Sequence, residues 1–388
     1  MMKKSIFVLG AYGCGNRGDD AILQSICELF PEWEICAANG SYCDVSAFLP
    51  VKTANCRLNE GFSLSVLCSM AKDSLRMFWK IAKSDALVFG GGSLIHDLTP
   101  YNLPFLFLWH LWAKMLRKKV FYFSMGVGPI KTSLGKKLCR WFLSGADGLF
   151  VRDQRGFEIC QQLGLTNACM TADAAFAVQT KNQCGKRTLR DLGLEEKNYL
   201  CVTASQWFQS SNFWKKDSMD FSAQIENFAA CVKAAGEQLH LPIVFVPTVM
   251  HDVSLGETLQ AKLTGMDFRM VPVQWNCKEM AEIVENAAFL LGVRMHSLIF
   301  AARQSVPFLA LVYDEKVRQL LRILKMEQYS LSLETVTAQQ VQEKLTVIME
   351  QKDLLCDQLA SQSTVLRNRV LASTEQMLCA LDQTRSAP

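Results

Sequence analysis

The chain has 388 residues, enough for two domains of ordinary size, each burying its own core. Its 41 basic and 37 acidic residues leave a net charge of +4, without the clustered basic stripe of a nucleic-acid binder, so nucleic acid is excluded as an expected partner. The 15 cysteines are odd in number and the nearest two, Cys36 and Cys43, are too far apart for a C-x-x-C zinc or redox motif; scattered buried thiols in a reducing cytoplasm are the expectation.

At the N-terminus Met1-Met2-Lys3-Lys4 and Ile6-Phe7-Val8-Leu9 imitate a signal peptide. The apolar run is too short, no small-residue cleavage site follows, and the same residues serve as a first strand, so export is not expected. Further strands are predicted over Trp33–Ala37, Ala86–Phe89, Lys119–Ser124, Gly148–Val151 and Ala168–Thr171, the first running from Ser5 to Ala11. The apolar stretch Leu103–Leu116 holds His110 and Lys114 and falls short of the roughly 20 residues of a membrane span. A packed interface helix is expected there. The alternative rests Trp109, Trp112, Lys114, Arg117, Lys118 and Lys119 on a membrane surface as a peripheral contact.

The polar stretch Gln179–Lys186 reads as a linker, which sets an N-terminal domain at 1–178 and a C-terminal one at 187–345. In the second half strands are predicted at Tyr199–Thr203, Ile243–Pro247, Arg269–Val271, Phe289–Val293 and Phe308–Val312. Beyond Val336 the chain turns polar, and a tail over 346–388 is expected to form one or two helices that cross back to the first domain. Strands alternating with helices throughout indicate the α/β class, with parallel sheets built from right-handed βαβ units.

In such sheets ligands bind beyond the carboxyl ends of the strands, where the first loop residues and the next helix N-terminus point. The distinctive residues fall there. Gly10 to Asp20 follows the first strand and Gly90-Gly91-Gly92 to Asp97 the third; Gly126-Val127-Gly128-Pro129, Arg152-Asp153 and Asp173 follow the next three. Ser205-Gln206, His251-Asp252, Arg294-Met295-His296 and Asp314-Glu315-Lys316 hold the equivalent places in the second half. Arg294 and His296, a cation and an imidazole two positions apart, are placed to grip an anion, whereas a solvated loop is expected for His251-Asp252.

Gly13-Cys14-Gly15-Asn16-Arg17-Gly18 matches the dinucleotide fingerprint letter for letter. Its helix, however, opens on Asp19 and Asp20 where a pyrophosphate would sit, and the second strand ends in Ala37-Ala38-Asn39-Gly40 without the acid that binds a ribose hydroxyl. Nicotinamide cofactors are therefore not expected. Carboxylates there suit sugar hydroxyls, with simple helix capping as the alternative.

Taken together, Gly13–Asp20 with Ala21-Ile22-Leu23, the Gly90-Gly91-Gly92 turn with Asp97, Gly126-Val127-Gly128-Pro129, Val151-Arg152-Asp153, Thr171 to Phe176, Arg294-Met295-His296 and Tyr313 to Val317 resemble the polysaccharide pyruvyl transferases, in the right order over about residues 5 to 335. The resemblance implies two facing Rossmann-like domains of GT-B-like architecture, phosphoenolpyruvate as donor, and a sugar of a cell-surface polysaccharide as acceptor, joined as a pyruvate ketal. Departures are Asp20 where the family usually has glutamate, Gly156 where a serine commonly follows the Arg-Asp pair, and Glu315 in place of a frequent proline. They bear on acceptor choice more than on donor chemistry.

Phosphoenolpyruvate carries a phosphate of about −1.5 to −2 and a carboxylate, so its site must concentrate cations. Arg294 is expected to bind one group bidentately, Lys316 to act as a compact charge for another, and Arg152 to reach in from the first domain unless it is held in an ion pair with Asp153 or another carboxylate. His296 is the expected general acid or a clamp on the leaving phosphate. Asp19, or alternatively Asp173, would take the proton of the acceptor hydroxyl; Asn16, Asp19, Gly91, Gly92, Asp97 and Asp173 form the expected acceptor side, with Asp173 alternatively capping a turn. No metal and no cofactor are expected. Work on a free or lipid-linked precursor at the cytoplasmic side of the membrane follows from this reading. The rivals are a GT-B glycosyltransferase using a nucleotide sugar and a non-catalytic sugar-binding protein.

Overall fold

Runs of three to seven residues, mostly apolar and bounded by glycine or polar turns, become strands, and the central ones are buried on both faces, as parallel sheets require. The computed structural model describes residues 4–40, 42–55, 64–180, 184–205, 221–272 and 276–383. It divides the chain into one unit of Met1–Val178 with Leu366–Pro388 and a second of Gln179–Val365.

The first unit runs β1 (Ser5–Leu9), α1 (Arg17–Leu29), β2 (Glu34–Asn39), β3 (Lys52–Asn55), α2 (Leu64–Lys83), β4 (Ala86–Gly90), α3 (Asn102–Met115), β5 (Lys119–Met125), α4 (Ser133–Ser144), β6 (Gly148–Val151), α5 (Gln154–Gln162) and β7 (Ala168–Met170). Its parallel sheet has the order β3-β2-β1-β4-β5-β6-β7. The central strand β1 pairs Phe7 with Cys36 on one side and with Leu87 on the other.

The second unit runs α6 (Cys184–Asp191), β8 (Leu200–Val202), α7 (Phe221–Leu239), β9 (Ile243–Phe245), α8 (Asp252–Lys262), β10 (Phe268–Met270), α9 (Cys277–Glu285), β11 (Phe289–Gly292), α10 (Met295–Arg303), β12 (Phe308–Val312), α11 (Glu315–Leu324), β13 (Ser330–Ser332) and α12 (Ala338–Glu350). Its sheet, again parallel, has the order β10-β9-β8-β11-β12-β13. The last helix, α13 (Lys352–Gln383), begins in the second unit and from Leu366 belongs to the first. There Ser373 Oγ donates to Thr171 Oγ1 at 2.8 Å and Asp382 accepts from Lys4 Nζ at 2.7 Å.

The strands expected from sequence all form, within a residue or two at their ends. Two strands were not legible, β3 and β13, and each closes one edge of its sheet. An edge strand has a neighbour on one side only, so polar residues such as Lys52, Ser330 and Ser332 suffice and the apolar signature is missing. The expected linker Gln179–Lys186 is also shortened, because Cys184, Gly185 and Lys186 open α6; Gly185 N donates to Glu282 Oε2, which ties this turn to α9.

Helix α3 packs as a core helix. Leu103, Leu106, Trp109, His110 and Ala113 are buried along one face, so Trp109 does not reach a surface. Among the described residues no helix is long and apolar enough to cross a membrane. His110 lies between Tyr122 and Phe142, its Nδ1 3.1 Å from the Tyr122 hydroxyl. Burial, aided by nearby Lys114, pushes its pKa down to about 4.

A histidine that resists protonation only when folded makes the unfolded chain the better proton acceptor at mildly acidic pH. Stability is therefore predicted to hold above about pH 6.5, to decline as pH falls toward about 4, and to have lost about 3 kcal/mol there from this group alone. Denaturant unfolding across that range should show a shallower decline in the His110→Gln variant; an identical slope in both proteins would contradict the assignment.

Candidate active site

In the second unit the site is built where β8, β9, β11 and β12 end. Beyond β8, Thr203 Oγ1 lies 2.8 Å from Ser297 Oγ and accepts from Val293 N at 3.3 Å, while Ser297 Oγ donates to the Arg294 carbonyl at 2.7 Å. This small net fixes the turn from β11 into α10. Arg294, the residue before α10, has extended backbone, and its side chain crosses to the ends of β8 and β9. Nε donates to the Ala204 carbonyl at 3.1 Å and Nη2 to Asp252 Oδ1 at 2.7 Å, which fixes the plane of the guanidinium.

Asp252 opens α8 and is fully buried. Its second oxygen accepts from Thr248 N at 3.3 Å, Thr248 Oγ1 at 3.1 Å and Val249 N at 3.1 Å. The carboxylate is thus satisfied by backbone, hydroxyl and guanidinium together, at a helix N-terminus that favours its charge. A solvated loop was expected here, and the structure corrects it: Asp252 is the buried counter-ion of Arg294. The overlooked signal is an acid placed just beyond a strand and on the first turn of a helix, with Thr248 four residues before it. Burial alone would lower the pKa of Arg294, but Asp252, with the Tyr313 hydroxyl alongside, outweighs it and keeps the guanidinium charged.

His296 is half-buried in the first turn of α10. Lys316 lies in the first turn of α11, whose capping residue Asp314 accepts from Lys316 N at 3.1 Å and stands 3.3 Å from Nζ. Strands β11 and β12 are neighbours, with Gly292 beside Ala310. Arg294, His296 and Lys316 are therefore brought to the same end of adjacent strands, Lys316 on the more open side with 44% of its side chain exposed.

In the first unit the loop after β1 folds over its own helix. Asn16 caps α1 by accepting from Gly18 N at 3.1 Å and donates Nδ2 to Asp19 Oδ2 at 2.7 Å. Asp20 turns inward, accepting from Gly13 N at 2.9 Å and pairing with Arg17 at 3.1 Å, both side chains buried. Asp19 stays half-exposed beside the turn after β4. Gly92 there has φ +72, and a Cβ on it would stand 3.6 Å from Asp19 Oδ1, so glycine keeps both the backbone bend and the space beside this carboxylate. Gly91 is pressed against Ile22.

Arg152 donates to Asp173 Oδ2 at 2.8 Å and to Ser93 Oγ at 3.0 Å, and both charged residues are almost wholly buried. The ion pair raised as an alternative for Arg152 is the geometry observed, with Asp173 as the near partner, Asp153 Oδ2 3.7 Å from Nε, and Ser93 as an unforeseen member. Asp173 also caps the turn Ala174–Ala177 by accepting from Ala175 N at 3.0 Å. Asp97 accepts from Lys131 N, Thr132 N and Thr132 Oγ1 at 2.6 to 2.9 Å. Partial burial would raise its pKa, yet these bonds hold it below the usual carboxylate value, and they tie the loop after β5 to the turn after β4. Among the described residues no three His, Cys, Asp or Glu side chains gather as a metal-binding group.

The family profile described as polysaccharide pyruvyl transferase matches residues 16–315, from Asn16, the cap of α1, to the first residue of α11. The chain belongs to the polysaccharide pyruvyl transferase family. A curated relative, the amylovoran biosynthesis protein AmsJ of Erwinia amylovora, is 21% identical over 95% of this chain and 98% of its own. Membership makes the chain a transferase of polysaccharide biosynthesis, and Lys316 stands one residue beyond the matched span. Two solved structures share the fold. The Anabaena protein Alr3699/HepE in complex with UDP and glucose matches at a TM-score of 0.60 and 11% identity, over 98% of this chain and all of that one. The UDP-GlcNAc 2-epimerase of Neisseria meningitidis bound to UDP-GlcNAc matches at 0.65 and 12%, over 97% and 99%. At such identities the likeness concerns the fold alone, a GT-B-like fold with two Rossmann-like units.

Removing one partner of the Asp252–Arg294 pair strands the other charge. With Arg294 about a quarter exposed, a coupling of about 2 kcal/mol is expected in a double-mutant cycle of Asp252→Ala and Arg294→Ala followed by denaturant unfolding. Additive losses would contradict the pairing.

Proposed function

We propose that the chain transfers the pyruvyl group of phosphoenolpyruvate to a sugar of a cell-surface polysaccharide precursor, free or lipid-linked, forming a pyruvate ketal and releasing phosphate on the cytoplasmic side. The observation that carries this reading is Arg294, held in plane by Asp252, at the same sheet edge as Lys316 and at the start of the helix bearing His296. A donor with a phosphate and a carboxylate needs two fixed cations of different kinds and a proton source beside them. Arg294 would bind one anionic group bidentately and Lys316 the other as a point charge, with the α10 N-terminus adding favourable potential.

The chemistry balances on these groups. His296 protonates the methylene carbon, which becomes the new methyl group, and positive charge develops at the carbon bearing phosphate. A sugar hydroxyl adds to that carbon while Asp19, oriented by Asn16, accepts its proton. A second hydroxyl of the same sugar then displaces phosphate. Over the full cycle the two hydroxyl protons end on the methyl group and on phosphate. Gly92, where a Cβ would lie 3.6 Å from Asp19 Oδ1, borders this carboxylate. The amylovoran role named for AmsJ supports an acceptor within an exopolysaccharide.

Phosphate release from phosphoenolpyruvate is expected only with an acceptor present, and mass spectrometry should find a pyruvylated sugar. His296→Ala is predicted to lower kcat about 10²- to 10⁴-fold, and Arg294→Ala chiefly to raise KM for phosphoenolpyruvate. Sugar-independent release, wild-type rates in both variants, or thermal stabilisation by nucleotide sugars but not phosphoenolpyruvate would overturn the reading.

A further inference from the structure

From Leu98 to Ala146 the chain has no Asp or Glu in 49 residues and has eight Lys or Arg. That interval builds α3 and α4, which pack with α2 in a row, α3 touching both, along one side of the first sheet. Their inner faces enter one core through Met77 and Ile81, Leu106 and Trp109, and Phe142 and Leu143. Among the described residues the outer faces keep large apolar side chains exposed. Leu75 and Trp79 on α2 are 63% and 58% exposed, Met115 on α3 is 71% exposed, and Leu134 and Trp141 on α4 are 64% and 55% exposed.

Leu75 and Trp79 are one turn apart and Leu134 and Trp141 two turns apart, so α2 and α4 each offer an apolar stripe, to which α3 adds Met115. The indoles are braced from below. Trp141 lies 4.8 Å from the Phe107 ring, and Phe78 meets Trp79 and Trp112 edge-on at 6.0 and 5.5 Å. Exposed Arg76, Lys83, Arg117, Lys136, Lys137 and Arg140 fringe the stripes.

We propose that the outer face of α2, α3 and α4 docks on a membrane surface carrying anionic lipid. Exposed tryptophans suit the headgroup layer, apolar stripes suit the acyl boundary beneath it, and a cationic fringe complements anionic headgroups. This surface differs from the one the sequence offered, because Trp109 is buried, Trp112 packs on Phe78, and Lys114 and Lys119 are engaged by Asp147. A second copy of the chain fits the face poorly: a two-fold contact would set the same cations against each other with Asp73 the one acid in the sequence of the three helices to answer them. The inference does not depend on the identity of the donor.

Co-sedimentation of the full chain with vesicles tests it. Binding is expected with phosphatidylcholine mixed with phosphatidylglycerol, weakly with phosphatidylcholine alone, and less as salt rises. The Lys137→Glu/Arg140→Glu variant should weaken partition by about fivefold or more per cation lost. Trp79→Ser/Trp141→Ser should abolish detectable binding with little change in unfolding midpoint, since both side chains are mostly exposed. Absence of binding to mixed vesicles, equal binding to both lipid compositions, or unchanged binding by the two variants would overturn the proposal. So would light scattering that shows self-association lost in the tryptophan variant without any vesicle binding.

Discussion

A guanidinium withdrawn from bulk water holds a fixed direction only when an opposite charge, itself immobile, faces it. In the second unit that charge is Asp252, buried at the start of α8 and satisfied on its far oxygen by the backbone and hydroxyl of Thr248 and by Val249 N. A carboxylate so saturated has little freedom to reorient, and Arg294 inherits its rigidity at 2.7 Å. About 0.5 to 1.5 kcal/mol of the binding energy of an anionic ligand would otherwise be consumed in ordering a long side chain. The pair pre-organises the cation at the sheet edge, and the donor assignment rests on it.

That rigidity comes from the topology of parallel sheets. Each strand ends on the same side and each following helix begins there, so residues far apart in sequence converge without any loop being long. Asp252 and Arg294 are separated by 42 positions, yet each lies within seven residues of the end of its strand, β9 or β11. The first unit uses the same device with a different outcome. Arg152 and Asp173 follow β6 and β7 and neutralise each other in the interior, while Asp19, beside the glycine turn after β4, is only partly buried. The second unit thus presents a fixed cation, and the first a partly buried carboxylate.

The legible parts of this arrangement share a physical character. Central strands such as Ile6–Leu9, Phe289–Gly292 and Phe308–Val312 are buried on both faces and must be continuously apolar, so they stand out. Arg294 and His296 stand out because a charge and an imidazole interrupt such a run just past its strand. Edge strands β3 and β13 lack that requirement and carry no such mark. Asp97 was assigned to the acceptor from its position after a glycine turn, but its hydrogen-bond partners are the backbone amides of Lys131 and Thr132 and the Thr132 hydroxyl, some 34 residues on, and amides leave no trace in side-chain spelling. Asp252 escaped for a related reason: its burial is a property of the packed sheet end, which local polarity does not record.

Equilibrium binding of phosphoenolpyruvate by calorimetry bears most directly on the central claim. The account predicts one site per chain in the wild type, with affinity lost in Arg294→Ala and strongly reduced in Asp252→Ala although Asp252 would touch no ligand atom. Undiminished affinity in Arg294→Ala would contradict it.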